Sequence, residues 1–108
     1  MPKYLLLFRH STDPKSRPSP EEMQALGGQW YAWMQKFSAL ILPGGDGLKP
    51  SGKLIRGQIV TDGPYIEAKE FVASFSLIEA DNMDAAVAIA RECPGENVIE
   101  IRQLGGYA

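Results

Sequence analysis

Three carboxylates and a lysine fall within one ten-residue run, Thr61-Asp62-Gly63-Pro64-Tyr65-Ile66-Glu67-Ala68-Lys69-Glu70, built around a Gly-Pro turn. Asp62 can bond its own downstream backbone, and Pro64 holds the chain rigid beside it. That rigidity has two uses. It specifies a turn through side-chain bonding, or it aims Asp62, Tyr65, Glu67 and Lys69 at a cavity. Glu67 and Lys69 lie two residues apart and share a face in extended chain. They form either a solvated ion pair, worth about 0–1 kcal/mol, or a polar pocket wall. A carboxylate near a lysine is also an acid/base arrangement, in which the carboxylate takes a carbon-bound proton and the ammonium steadies the developing negative charge.

Outside that run the chemistry-capable residues are few. His10 is the sole histidine, and its ordinary pKa of about 6.5 suits proton transfer, although a histidine at a strand end also serves as a plain polar residue. Arg9 alternates with Leu7 and Leu5 and so points the same way, at the rim of a sheet face where it can bind an anion. Asp46 lies in the glycine-rich stretch Pro43-Gly44-Gly45-Asp46-Gly47-Leu48. This stretch lacks the Lys-Ser/Thr ending of a phosphate loop and the strand–GxGxxG–helix setting of a dinucleotide site, so no cofactor is expected. Arg102 is equally well explained by a salt bridge with Glu100. The candidate catalytic residues are therefore Asp62, His10 and Asp46, and the candidate substrate-binding residues Arg9, Tyr65, Glu67 and Lys69. The lone Cys93 cannot form an internal disulfide and reads as structural filler. With one thiol and one histidine, no metal site is expected.

The elements that must position these groups follow from periodicity and caps. Tyr4 to Phe8 is apolar throughout, as in a central strand buried on both faces. Ser19-Pro20-Glu21-Glu22 starts a helix, with Ser19 capping the first-turn amides and Pro20 lacking an amide that would go unpaired. Met23, Leu26, Trp30, Trp33 and Phe37 form one apolar stripe along residues 20–37, with the tryptophans read as core rather than ligand platforms. Gly27-Gly28 costs roughly 1 kcal/mol per glycine. Either a close approach to a neighbouring backbone accounts for the pair, or nothing requires it. Ala39–Leu42 is a short strand, Leu54–Thr61 a further strand, and Phe71–Glu79 another. In the last, Phe71, Ala73, Phe75 and Leu77 face one side; Val72, Ser74, Ser76 and Ile78 face the other, small enough to line a cavity or a subunit contact. Asp81 or Asn82 caps a second helix that ends at Cys93-Pro94-Gly95, and Val98–Leu104 is the final strand.

The order strand, helix, strand, strand, helix, strand, with 54–61 as an extra strand, predicts an α+β ferredoxin-like sandwich in one domain spanning residues 1–108. Two helices cover one sheet face only. The other carries apolar side chains, and a homodimer through that open face is the economical way to bury it. A net charge of −2 with acids and bases mixed along the chain gives no electrostatic case for nucleic acid. The five apolar residues after Lys3 are too few for a secretory signal, and no membrane-spanning run exists, so a soluble cytoplasmic protein is expected.

The run Val60 to Glu70, centred on Asp62-Gly63-Pro64-Tyr65, resembles the signature of the DGPF family, part of the YCII-related proteins, in which the fourth motif residue is usually Phe. The resemblance continues in Tyr4-Leu5-Leu6-Leu7-Phe8, Ser19-Pro20-Glu21-Glu22-Met23, Gly44-Gly45-Asp46-Gly47-Leu48-Lys49-Pro50, Phe75-Ser76-Leu77-Ile78-Glu79-Ala80 and Val98-Ile99-Glu100-Ile101-Arg102. It implies a dimeric α+β barrel, two ferredoxin-like domains paired sheet to sheet, in a superfamily that includes muconolactone isomerase-like enzymes and small monooxygenases. The DGPF group has no settled activity; some members are encoded beside extracytoplasmic-function sigma factors. YCII-type relatives resemble one another in a histidine–aspartate pair with the histidine in the first helix, where this chain has Gln29 or Trp30 instead.

Two functions are expected from this reading. The first is a small-molecule-binding domain, with cofactor-free isomerase- or lyase-like chemistry on a small carbonyl or lactone compound. The second is a non-enzymatic regulatory or protein-interaction module linked to sigma-factor regulation.

Overall fold

The computed structural model describes residues 1–63, 69–95 and 97–107. Strand β1 (Lys3–Ser11) is followed by a short 3-10 turn at Pro14–Ser16 and helix α1 (Pro20–Lys36). Then come β2 (Ile41–Gly47), β3 (Gly52–Arg56), β4 (Ile59–Gly63), β5 (Glu70–Glu79), helix α2 (Met83–Arg91) and β6 (Val98–Gln103). The main sheet has the order β2-β5-β1-β6 and all of its pairs are antiparallel. This is the ferredoxin-like arrangement: β1 and β5 lie side by side in the centre, and each helix crosses over to an edge strand.

Alternation along β1 separates the two faces of the sheet. Tyr4, Leu6 and Phe8 are buried, and they join Trp33, Ile78, Ala80, Ala86, Ile89 and Ala90 in one core. Burying Leu6, Phe8 and Ile78 stabilises the fold by about 1.5–3 kcal/mol each. Trp30 meets Phe8 edge-on at 5.3 Å and Trp33 at 5.6 Å. Both indoles are therefore core components. Trp33 Nε1 donates to the Ile89 carbonyl at 3.1 Å, tying α1 to α2 inside the core.

The helix ends follow from their caps. Ser19 Oγ accepts from the Glu22 amide at 3.2 Å, with Pro20 in the first turn. Asn82, rather than Asp81, caps α2, its Oδ1 accepting from the Ala85 amide at 2.9 Å. A methyl group added at Gly27 or Gly28 would meet nothing within 4 Å. No backbone approach explains that pair.

Three features of the strands differ from the expected ones. First, β2 continues through the glycine stretch to Gly47, with irregular pairing between Leu42 and Asp46. A Cβ at Gly45 would sit 2.8 Å from the Phe75 carbonyl oxygen, so this glycine lets β2 close against β5. Second, the segment expected as one extra strand turns back on itself at Gly57-Gln58. Gly57 has φ of +59°, at the first position of a two-residue turn, where a type II′ hairpin needs glycine. The resulting β3–β4 hairpin forms its own two-stranded sheet.

Third, the register of β1 with β5 shifts between Phe8 and Arg9. Before the shift Ser76 and Ser74 pair with Leu6 and Phe8 on the helix face, and Phe75 and Leu77 pair with Leu7 and Leu5 on the open face. The small serines thus belong to the face that receives Trp30, Trp33 and Phe37. After the shift Phe71 pairs with His10 and Val72 with Arg9, so Phe71 leaves the face shared by Phe75 and Leu77. An extra residue in one strand reverses the alternation beyond it.

The open face carries Leu5, Leu7, Leu42, Phe75 and Leu77, all half-buried. Among the described residues no helix is long and apolar enough to cross a membrane.

Candidate functional site

The C-terminal end of β1 carries Arg9 and His10. The two are consecutive, so they leave opposite faces. Arg9 is on the open face, where its Nη2 donates to Glu100 Oε1 at 2.7 Å. Arg102 Nη1 reaches Glu100 Oε2 at 3.3 Å. The hydrogen bond from Arg9, then that from Arg102, holds the Glu100 carboxyl below the ordinary carboxylate value. The expected Glu100–Arg102 bridge is present, but Arg9 is the nearer partner.

His10 lies on the other side. Its Nε2 lies within hydrogen-bond distance of Asn97 Oδ1, at 3.1 Å. Asn97 is itself held by donating through Nδ2 to the Pro94 carbonyl at 2.7 Å. The His10 ring also meets Phe71 edge-on at 6.1 Å.

Phe71 and Val72, the β5 partners of His10 and Arg9, form one wall of a cavity of about 240 Å3 between the sheet end and the base of the β3–β4 hairpin. Leu48 and Leu54 add apolar surface, Lys49, Ser51 and Lys53 add polar residues to the lining, and Gly63 brings in the start of the polar run. The cavity is smaller than ordinary ligand sites, which run from roughly 300 to 1,000 Å3. Its apolar walls suit a compact carbon skeleton and its lysines suit an anionic group.

Asp62 stands opposite Lys53 in the hairpin register and is ion-paired with it. Its side chain is 88% exposed. Asp46 occupies the row of Phe75 and Leu7; its Oδ1 accepts from the Gly47 amide at 2.7 Å. It precedes the cavity residue Leu48 by two positions. Lys69 is exposed, and its carbonyl accepts from the Thr12 amide at 2.9 Å, which ties the end of the polar run to the exit of β1. Tyr65 and Glu67 lie outside the described residues.

Arg9 and His10 are thus in register with the cavity residues Val72 and Phe71, and Asp62 with Lys53, whereas Asp46 lies mid-sheet in the row of Leu7 and Lys69 stands two positions before Phe71. None of these five side chains bonds to another of the five. Arg9 is engaged by Glu100, His10 by Asn97 and Asp62 by Lys53. Lys49, Ser51 and Lys53 were not singled out from the sequence. Their signal was the turn Pro50-Ser51-Gly52 flanked by lysines, which becomes a cavity wall only when the hairpin folds back. No group of His, Cys, Asp and Glu side chains among the described residues could hold a metal ion.

A second cavity, of about 280 Å3, lies between α2 and β6 and is lined by Val87, Ala90, Cys93, Ile99 and Ile101, with Arg91 and Asn97 also contributing. Burial pushes the Cys93 thiol up to about 12. That thiol is a packing group at neutral pH, not a nucleophile.

No curated protein matches this chain significantly. The YCII-related domain, by contrast, matches it over residues 4–104, from the first buried residue of β1 to the residue after β6. With the β1-α1-β2…β5-α2-β6 frame in place over that same span, the chain belongs to the YCII-related family.

Proposed function

We propose that this protein is a small-molecule-binding domain whose ligand is a compact carbonyl or lactone compound carrying a negative charge, held in the cavity between the sheet end and the β3–β4 hairpin. The observation that carries this reading is the convergence of Lys49, Lys53 and Ser51 on a cavity otherwise walled by Leu48, Leu54, Phe71 and Val72. Lys53 and Asp62 offset each other's charge, and Lys49 adds a further positive one. Turnover, where it occurs, is cofactor-free: Asp62, Asp46 or His10 takes a proton next to the carbonyl, and Lys69, Lys53 or Arg9 steadies the enolate-like charge. Binding has the stronger support, because an exposed carboxylate paired to Lys53 suits holding the hairpin better than abstracting a proton. The Asp62-Gly63-Pro64-Tyr65 run supports placing the chain in the DGPF group, and its lone cysteine supports a cytoplasmic setting.

The dimer belongs to the same reading. The open face presents Leu5, Leu7, Leu42, Phe75 and Leu77 with charges of both signs at its β6 side, and we propose that a second copy covers it. Light scattering should give twice the chain mass at micromolar concentration, and a monomer at every concentration would refute it.

Binding is tested by titrating small 2-oxo acids and lactones into 15N-labelled protein. Shifts of the Leu48, Ser51, Phe71 and Val72 amides are expected, weakened by Lys49→Gln and Lys53→Gln. If millimolar probe leaves those amides unmoved, the cavity is not a binding site.

One observation favours the regulatory reading as well: the tip of the hairpin exposes large aliphatic side chains. A protein-interaction role would use that tip rather than the cavity.

A further inference from the structure

The main sheet ends in β2 on one side and β6 on the other, and the two edges are built differently. β2 carries Pro43, a run of glycines and an irregular pairing between Leu42 and Asp46. Proline and irregular pairing are ordinary means by which an edge strand is kept from joining another chain. β6 has neither. Val98–Gln103 contains no proline or glycine, and its register with β1 runs without a shift.

That register also tells which main-chain groups of β6 are turned outward. The Leu104 amide donates to the Lys3 carbonyl at 2.8 Å. In an antiparallel pair, alternate residues turn both main-chain groups toward the neighbouring strand, so Leu104, Arg102, Glu100 and Val98 face β1. Ile99, Ile101 and Gln103 direct their amides and carbonyls away from it, where no strand among the described residues pairs with them. The side chains of Val98, Glu100, Arg102 and Leu104 form one row on the open face. The two charges sit in the middle of the row, and Val98 and Leu104, 50% and 41% exposed, sit at its ends.

We infer that β6 pairs antiparallel with β6 of a second copy about a two-fold axis at Ile101, a contact separate from the sheet-face dimer and not resting on it. The outward groups require Ile99, Ile101 and Gln103 to meet one another across the axis. Centring the pair on Ile101 sets Glu100 opposite the partner's Arg102, and Val98 opposite the partner's Leu104. The two-fold repeats both matches in reverse. Unlike charges and apolar side chains placed directly opposite stabilise an antiparallel pair, whereas like charges destabilise it. Centring on Glu100 or Arg102 would set that residue against its own copy. Centring on Ile99 would set Glu100 against the partner's Val98, and centring on Gln103 would set Arg102 against the partner's Leu104. The Arg102 side chain is 71% exposed, and Glu100 is held more closely by Arg9, so Arg102 is available to a partner. The sequence apolar, acid, base, apolar along this row is its own complement when reversed, which makes a second copy the fitting occupant.

The test uses Val98→Cys and Leu104→Cys, each in a Cys93→Ala background, oxidised with copper phenanthroline separately and as a mixture at high micromolar concentration. Both positions are exposed, so the core is left intact. In the Ile101-centred register the Cα of Val98 lies about 4.5 Å from that of the partner's Leu104, within disulfide reach, and roughly 20 Å from that of the partner's Val98. The mixture should give a disulfide-linked dimer at least about tenfold faster than either variant alone. Adding Arg102→Glu to both should slow the linking by roughly tenfold. Equal linking in the mixture and in the single variants, or an unchanged rate with Arg102→Glu, overturns the register. No linking anywhere overturns edge pairing between copies, whatever other strand β6 then takes. The mixture is also run with Leu5→Lys or Leu77→Lys on the open face. Linking that persists there marks the edge as an interface of its own; linking lost there assigns the contact to the sheet-face dimer and overturns the inference.

Discussion

Arg9 and Glu100 are bonded diagonally across the β1–β6 pair: Arg9 is in register with Val98, two residues before Glu100, and its Nη2 donates to Glu100 Oε1 at 2.7 Å. Arg102 takes the other oxygen. One carboxylate thus organises two guanidinium groups on the face that no helix covers.

This pairing sets the acid response of Glu100. Its carboxyl is held below the ordinary 4.5, first by the Arg9 hydrogen bond and then by Arg102. A carboxyl with a lowered folded-state pKa contributes stability that is present above the ordinary value and lost as pH falls through the folded one. Replacing Arg9 with Gln should raise the Glu100 pKa toward 4.5, read by 13C NMR of its carboxyl carbon. An unchanged titration would show that Arg9 does not hold it.

Two kinds of glycine should respond to alanine with opposite signs. Gly27 and Gly28 are helical, exposed and open around the missing Cβ, so each alanine should stabilise by about 0.5–1 kcal/mol. At Gly45 the new Cβ would lie 2.8 Å from the Phe75 oxygen and 3.0 Å from Ser76 Cα. Both neighbours are backbone and cannot rotate away, so Gly45→Ala should destabilise by about 1–3 kcal/mol. Urea midpoints at constant m-value measure all three.

Trp33 joins the helices by packing and by its bond to the Ile89 carbonyl. Trp33→Phe keeps most of the apolar volume and loses the donor, and should cost about 1–2 kcal/mol. Trp33→Ala also leaves a cavity beside Trp30 and Phe37 and should cost about 3–5 kcal/mol. Similar losses for the two variants would assign Trp33's contribution to the hydrogen bond alone.

Cys93 should resist thiol reagents in the native protein. Its thiol is pushed from 9.0 to about 12 by burial, so the thiolate is scarce at pH 8 and labelling should wait on unfolding. The sign of the stability effect follows: the contribution is complete below about pH 9, the unfolded value, and is lost as pH rises toward about 12. Maleimide labelling as fast as in urea-unfolded protein would contradict the burial.

Much of this architecture was legible because it depends on neighbours in sequence. Ser19-Pro20 caps a helix through amides one turn away, the stripe read from Met23 to Phe37 needs only the helical repeat, although Met23 itself is 60% exposed, and Tyr4-Leu6-Phe8 needs only alternation. The family likeness rests on the same local runs. Other features were hidden because they arise from pairing between distant strands. The shift that sends Phe71 to His10 and Val72 to Arg9 occurs where β5 meets β1, more than sixty positions along the chain by their numbering. The closure of β2 on β5 that gives Gly45 its meaning is likewise non-local.

The candidate site divides in the same way. From sequence, Asp62, Asp46, Arg9, His10 and Lys69 are polar residues near strand ends, and residue type and alternation were enough to single them out. Only the tertiary structure assigns their partners: Glu100 to Arg9, Asn97 to His10, Lys53 to Asp62. It also turns 54–61 into a hairpin whose base, with Lys49, Ser51 and Lys53, closes a cavity against Phe71 and Val72. Side-chain chemistry is a local property of the chain, whereas a cavity and an ion pair are distances between segments, and those distances exist only once the strands have chosen their register.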